Sequence, residues 1–107
     1  MKEADDLLDK GDIIQASEKY YKAAEEAIKI LAIRNSLNTL VKVKRLNHWT
    51  SKLYFKAVEE LRKAYSDINI SWISAWLLHI EGFHEARLSK DQVKLLKENV
   101  KKLIDLL

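Results

Sequence analysis

The residues best suited to metal or acid–base chemistry form one compact group near the C-terminal third of the chain. His79, Glu81, His84 and Glu85 lie within seven positions of each other. Glu81 and His84 are three residues apart, so an α-helix would present both on one side, like half of a di-iron carboxylate site. That site needs further glutamates on facing helices and a second Glu-x-x-His, and the sequence contains no second Glu-x-x-His, so only a symmetric dimer could supply it. We therefore expect no metal and no catalytic residue here.

A second group combines positive charge with an aromatic ring. Neither Asp nor Glu occurs between Glu26 and Glu59, and seven Lys or Arg residues lie in that gap. The polyanion-binding candidates are Lys42, Lys44, Arg45, His48, Trp49 and Lys52. Cations neutralise phosphates and a tryptophan can stack on an unpaired base. The alternative, which we favour, is a solvated loop whose Trp49 packs onto the rest of the protein.

A third group is aromatic and apolar. Trp72 and Trp76 are four residues apart and so lie on one helix face, where a core or a dimer interface is more usual than a cofactor pocket. His79 points to the same apolar side, as expected of a histidine that donates to a neighbouring group. Gly82 costs helix stability and so predicts a close approach of another helix. The pocket or interface candidates are Trp72, Trp76, His79, Glu81, Phe83 and His84.

The composition limits the elements that position these residues. The 107 residues include no proline, no cysteine and two glycines, with 48% hydrophobic and 33% charged residues. Few turn-forming residues favour long helices over sheets, and the absence of cysteine excludes disulfides and thiolate chemistry. No phosphate-binding glycine loop or nucleophile triad is present, so we expect no cofactor. The lack of an apolar signal-peptide centre favours a cytoplasmic location.

The hydrophobic spacing predicts one all-α domain over residues 1–107, an antiparallel up-and-down bundle of about five helices. The predicted helices span residues 2–10, 12–34, 50–66, 70–88 and 89–107. Gly11 is placed to end the first in a left-handed conformation. Asp12 with Gln15, and Ser89 with Gln92, match the capping-box pattern that opens a helix.

Two segments of this bundle stand out. Residues 35–49 are rich in Asn, Ser and Thr, then alternate apolar and basic residues, and we interpret them as a long loop with at most a helical turn. The helix over 70–88 is apolar almost all round. Its predicted polar stripe is narrow and contains Ser71, Ser74, Glu81 and Glu85. Such a helix is either central in the bundle or covered on one side by a partner.

Two families share parts of this pattern. The opening resembles a tetratricopeptide repeat in Leu8, Gly11, Asp12, Ala16, Tyr20, Ala23 and Ala24, although no second copy follows. The whole chain resembles the archaeal PaREP-type repetitive-element family, itself similar to the HEPN helical bundles. That resemblance rests on Ser17 to Ala27 and on Trp72, Ala75, Leu78, His79, Phe83 and Glu85.

The HEPN resemblance implies a bundle that is often dimeric, sometimes an RNase and sometimes a partner of a nucleotidyltransferase. RNase members carry an Arg followed by a His after four to six residues. Here Arg45 and His48 have two residues between them, and Arg87 follows His84. We therefore expect a non-catalytic interaction module, a homodimer through residues 70–88 or 89–107. The alternative is a HEPN-like nucleic-acid-associated protein that binds RNA through residues 42–52.

Overall fold

A 22-residue helix forms the centre of the fold, and every other element packs around it. The computed structural model describes residues 1–107 and contains six α-helices and one π-helical segment. The α-helices are α1 Lys2–Asp9, α2 Ile13–Arg34, α3 Thr39–Leu46, α4 Ser51–Leu61, α5 Ile68–Leu77 and α6 Lys90–Ile104. The π-helical segment, Leu78–His84, continues α5 without a break. The predicted all-α antiparallel bundle is confirmed, with six helices in place of five.

Local signals in the sequence set several helix ends. Gly11 adopts a φ of +84°, the left-handed conformation predicted for it. The Asp12 side chain accepts from the amide of Gln15 at 3.2 Å, which is half of a capping box. Ser89 and Gln92 form the complete reciprocal box. These bonds satisfy amides that the first turn of a helix leaves without partners.

The core is continuous and draws on all the helices except α3. Its largest fully buried side chain is that of Trp72, with 0% exposure. Alanines of α2, including Ala16, Ala24 and Ala27, let the neighbouring helices approach closely, and all three are fully buried. Tyr20 is also in the core, and its hydroxyl donates to the carboxylate of Asp5. Burial raises the pKa of Tyr20, so this hydroxyl keeps its proton.

The segment predicted as a loop contains helix α3, and that prediction is wrong. The carboxylate of Glu60 on α4 accepts from the amides of Asn38 at 3.0 Å and Thr39 at 3.1 Å, and from the Thr39 hydroxyl. A helix begins where its first amides find acceptors. Here the acceptor lies 21 residues further along the chain. Asn47, with a φ of +60°, ends α3.

The helix predicted over 70–88 also differs. It begins at Ile68, changes to π winding at Leu78 and ends at His84. The amide of Glu85 donates to the carbonyl of Ile80, five residues back, at 2.9 Å. Ala86 then takes a left-handed φ of +52° and breaks the helix. Similarly, α4 ends at Leu61 rather than near Ser66.

Two members of the predicted polar stripe face inward instead. Ser71 and Ser74 are buried, and the Ser74 hydroxyl accepts from the side-chain amide of Asn99 on α6 at 3.0 Å. Helices α5 and α6 run antiparallel. Ile70 and Ser71, near the start of α5, line the same surface hollow as Lys102 and Leu106, near the end of α6. None of the helices has the length and apolar character needed to cross a lipid bilayer.

Candidate functional site

A surface of five cations covers α3 and the start of α4. We call it the basic surface, and its members are Lys42, Lys44, Arg45, Lys52 and Lys56. All five side chains are exposed, and none pairs with a carboxylate. Three of the four predicted cations, Lys42, Arg45 and Lys52, are close enough to interact, and Lys42, Lys44 and Arg45 lie on a helix rather than on the predicted loop. Lys56 joins them from the second turn of α4, one turn after Lys52.

The cations of the basic surface are close enough to affect one another. The neighbouring positive charge of Lys56 lowers the pKa of Lys42, and Lys52 and Arg45 add to the effect. Like charges disfavour the charged form in this way. Binding of a polyanion relieves this repulsion, which stabilises the complex.

His48 and Trp49 lie at the edge of the basic surface and do not extend it. His48 is exposed, and its Nδ1–H donates to the carbonyl of Leu46 at 2.9 Å. Trp49 is half-buried and stacks on Tyr54, with ring centroids 4.9 Å apart. Trp49 therefore packs on the bundle, as the favoured interpretation of the sequence predicts. Its ring face toward Tyr54 is not available to a nucleic-acid base.

A second cluster forms where the π-helical segment crosses α2. We call it the histidine cluster, and its members are Glu18, Tyr21, His79, Phe83 and His84. The Nδ1 atom of His79 lies 2.8 Å from a carboxylate oxygen of Glu18. Its Nε2 atom lies 3.2 Å from Nε2 of His84. The His79 ring stacks on Tyr21 at 4.1 Å and is nearly parallel to Phe83 at 6.2 Å. His79 therefore donates to a neighbouring side chain, as expected, and a second histidine, His84, lies beside it.

The π winding is what brings the two histidines together. In an α-helix, residues five apart lie about 140° apart around the axis. The i to i−5 hydrogen bonding of a π-helix brings such residues to roughly the same side. His79 is largely buried against α2, whereas His84 is exposed.

Gly82 allows the π-helical segment to lie directly against α2, and its predicted role in close helix approach is confirmed. A Cβ atom at Gly82 would lie 2.6 Å from Cβ of Ser17, too close for any substitution without movement of α2. Ser17 itself is held by a hydrogen bond from its hydroxyl to the carbonyl of Ile13 at 2.7 Å.

Glu81 and His84, which an α-helix would place on one side, do not hydrogen-bond to each other. Glu81 instead accepts two hydrogen bonds from the guanidinium of Arg87, at 2.9 and 3.1 Å. This pair raises the pKa of Arg87. It ties the end of the π-helical segment to the connection that leads into α6.

Tyr21 is a member of the histidine cluster that the sequence did not reveal. Burial raises the pKa of its hydroxyl, and the carboxylate of Glu25 raises it further. The tyrosine therefore stays neutral beside His79. Glu18 and Tyr21 are three residues apart on the inner side of α2, a spacing that indicates a shared face but not a partner.

The tryptophans separate into a core residue and a surface residue. Trp72 is fully buried between Tyr21 and Tyr54, with centroids 5.7 and 5.2 Å away, so it lines no pocket. Trp76 is half-buried and meets Phe55 edge to face at 5.2 Å. The core interpretation therefore holds for Trp72, and Trp76 borders the surface.

The outer side of α5 is apolar and faces solvent. We call it the apolar face, and it consists of Ile70, Ile73 and Leu77, which are 52%, 50% and 40% exposed. Phe55 and Trp76 adjoin it along one edge. No charged residue occurs between Ile68 and Ile80. The sequence indicated a helix with two apolar sides, and the structure places these three residues on the outer one.

Comparison with known proteins agrees with this architecture. The model of the archaeal PaREP1/PaREP8 family matches residues 1–104. No protein of curated function matches. The chain is similar to a crystal structure of a protein from Sulfolobus solfataricus, with 52% identity, a TM-score of 0.94 and coverage of 98% of this chain and 87% of that one. A solution structure bearing the same structural-genomics target name gives 52% identity, a TM-score of 0.88 and coverage of 98% and 82%. The chain therefore belongs to the archaeal PaREP1/PaREP8 family.

Proposed function

We propose that the protein is a non-catalytic interaction module that self-associates through the apolar face of α5. The observation that carries the proposal is the exposure of Ile70, Ile73 and Leu77 on a helix whose opposite side is already core. Isolated apolar side chains are common on protein surfaces, but a contiguous apolar patch marks a place of contact.

A second copy of the same chain is the partner that fits this face best. In a two-fold dimer the same patch meets itself, so the patch must tolerate its own charges. The thirteen residues from Ile68 to Ile80 carry no Lys, Arg, Asp or Glu. Two copies of α5 can therefore pair without like-charge repulsion.

The size of the patch sets a second requirement. A stable interface buries about 800 Å² on each partner. Three side chains of α5 do not supply that area alone, so the contact must extend to neighbours. Phe55 of α4, 40% exposed, and Trp76 continue the apolar face on one edge.

Sedimentation equilibrium tests this proposal directly. We expect a species of twice the 12.5 kDa chain mass for the wild type and a monomer for Ile73→Glu, because the substitution puts two carboxylates into the contact. Val41→Glu is the matched control, since Val41 is a β-branched residue on α3 with 58% exposure. A wild-type monomer at high concentration, or equal loss of the dimer in both variants, contradicts the proposal.

RNA binding through the basic surface is the second candidate function. It is supported by five exposed cations with no carboxylate partner and by the mutual repulsion felt at Lys42. Exposed cations attract the phosphate backbone whatever its sequence. The HEPN-like RNase arrangement of Arg and His is absent, so this proposal concerns binding and not cleavage.

A gel shift with single-stranded RNA at several salt concentrations tests the second candidate. We expect binding to weaken with salt and to be lost when Lys44, Arg45 and Lys52 are changed to Glu. Each phosphate contact adds about 0.7 to the slope of log affinity against log salt. The matched control changes Lys63, Lys94 and Lys101 to Glu, three exposed lysines outside the basic surface. Equal losses in both triple variants would show unspecific attraction and contradict this assignment.

A further inference from the structure

The rings of His79 and His84 meet at their Nε2 atoms, with His79 largely buried and His84 exposed. Their Nε2 atoms are 3.2 Å apart, and no other group of the chain bonds to either atom. The approach depends on the π-helical segment, since α-helical winding would separate the two rings. A π turn replaces regular helical hydrogen bonds and is frequently found at functional sites.

The hydrogen bond to Glu18 determines which nitrogen of a neutral His79 ring carries the proton. An ionised carboxylate only accepts hydrogen bonds, so Nδ1 of His79 carries a proton and donates it to Glu18 at 2.8 Å. In the neutral ring, Nε2 of His79 then presents a lone pair toward His84. A histidine oriented through its other nitrogen by a carboxylate is the arrangement that supports metal ligands.

The separation of the two nitrogens also fits a shared cation. Two nitrogens bound about 2.0–2.1 Å from one tetrahedral Zn²⁺ are about 3.3 Å apart. The observed 3.2 Å is close to that value. Imidazole nitrogen suits zinc, copper, nickel and iron, whereas calcium and magnesium prefer oxygen ligands.

We propose that His79 and His84 chelate a divalent transition-metal ion through their Nε2 atoms, with Glu18 as the positioning residue behind His79. No third His, Cys, Asp or Glu of the chain converges on this point. Water or a donor from outside the chain completes the coordination. His84 is exposed and gives the ion a path from solvent. This site does not depend on self-association through α5.

Stacking supports the same geometry by limiting the motion of His79. Its ring is held at 18° to Tyr21 and at 10° to Phe83. Tyr21 provides a flat aromatic surface on one side of the His79 ring. Only His84 has to adjust when an ion enters, and a preorganised partner lowers the cost of binding.

Calorimetric titration of the full chain with zinc chloride tests the proposal. We expect one zinc ion per chain and a loss of affinity in His84→Ala that exceeds the roughly 10- to 100-fold cost of removing an outer-shell partner. Because His84 is exposed, its replacement leaves the fold intact, which circular dichroism verifies. His48→Ala, at the one other histidine, is the matched control and should bind zinc like the wild type.

Glu18→Gln distinguishes a positioned metal site from two loosely placed histidines. The glutamine oxygen keeps a neutral acceptor for Nδ1 but loses the charge, so we expect zinc affinity to fall by about 10- to 100-fold. Nickel titration should follow the same order of variants. Absence of zinc binding by the wild type, or equal affinity of His84→Ala and wild type, overturns the proposal and leaves a hydrogen bond between the rings.

Discussion

The apolar face and the basic surface lie on helices that are stabilised in different ways. The apolar face is the outer side of α5, whose inner side holds Trp72 in the core, so its position is fixed by burial. The basic surface begins on α3, an eight-residue helix that contributes no residue to the core cluster and starts on the carboxylate of Glu60. The apolar face is therefore held by packing, whereas the α3 part of the basic surface begins at a long-range cap from Glu60.

The largest effect on stability should come from a change in the packed helix α5. We expect Trp72→Ala to lower the free energy of unfolding by about 3–5 kcal/mol, because it removes a fully buried indole and leaves a cavity between Tyr21 and Tyr54. Ile73→Ala, one residue further on the exposed side, should cost less than about 1 kcal/mol in dilute solution. Urea unfolding followed by circular dichroism measures both. Similar losses would contradict the assignment of inner and outer sides.

The next test concerns α3 and its cap from Glu60, where we expect a smaller and more local effect. Glu60→Gln removes the charged acceptor of the Asn38 and Thr39 amides, and we expect it to lower the free energy of unfolding by about 1.5–3 kcal/mol. In this variant the rate of amide hydrogen exchange should increase more in α3 than in α5.

The matched control for that change is Glu59→Gln. Glu59 forms an exposed ion pair with Arg62, and such pairs contribute at most about 1 kcal/mol. If exchange in α3 were as slow in Glu60→Gln as in the control, local apolar contacts rather than the cap would hold this helix.

The smallest effect concerns charge within the basic surface. The pKa of Lys42 is lowered by the ammonium of Lys56, so Lys56→Gln should raise it toward the ordinary lysine value. Titration of the lysine side-chain resonances by NMR measures the change. Lys63→Gln, at an exposed lysine beyond the end of α4, should leave the pKa of Lys42 unchanged. No rise in Lys56→Gln would show that the two ammonium groups do not meet in solution.

The sequence predicted those parts of the fold whose causes are local. Gly11, Asp12 and Ser89 set the ends of α1, α2 and α6 through groups a few residues away. Helix α3 could not be predicted in this way, because the acceptor for its first amides comes from Glu60 on another helix. The Asn and Ser residues before it indicated only a break.

The same distinction applies to the candidate sites. The cations of the basic surface were visible as a run of residues without acids, and Lys56 lay within that run. The sequence named His79, Phe83 and His84 as candidates but not their arrangement in the histidine cluster, since this depends on π winding and on Glu18 from 61 residues earlier in the chain. Ser71 and Ser74 were placed on the wrong side of their helix, because the partner of Ser74 is Asn99 on α6.

The most direct test of self-association through α5 uses the absence of cysteine from the chain. A single Ile73→Cys substitution creates a lone thiol on the apolar face, and Val41→Cys creates one of similar exposure on α3. Disulfides form where Cα atoms approach to about 5.5–6 Å. Under mild oxidation followed by non-reducing electrophoresis, we predict rapid formation of a covalent dimer by Ile73→Cys and little by Val41→Cys. Equal rates for the two variants would contradict the placement of the interface on α5.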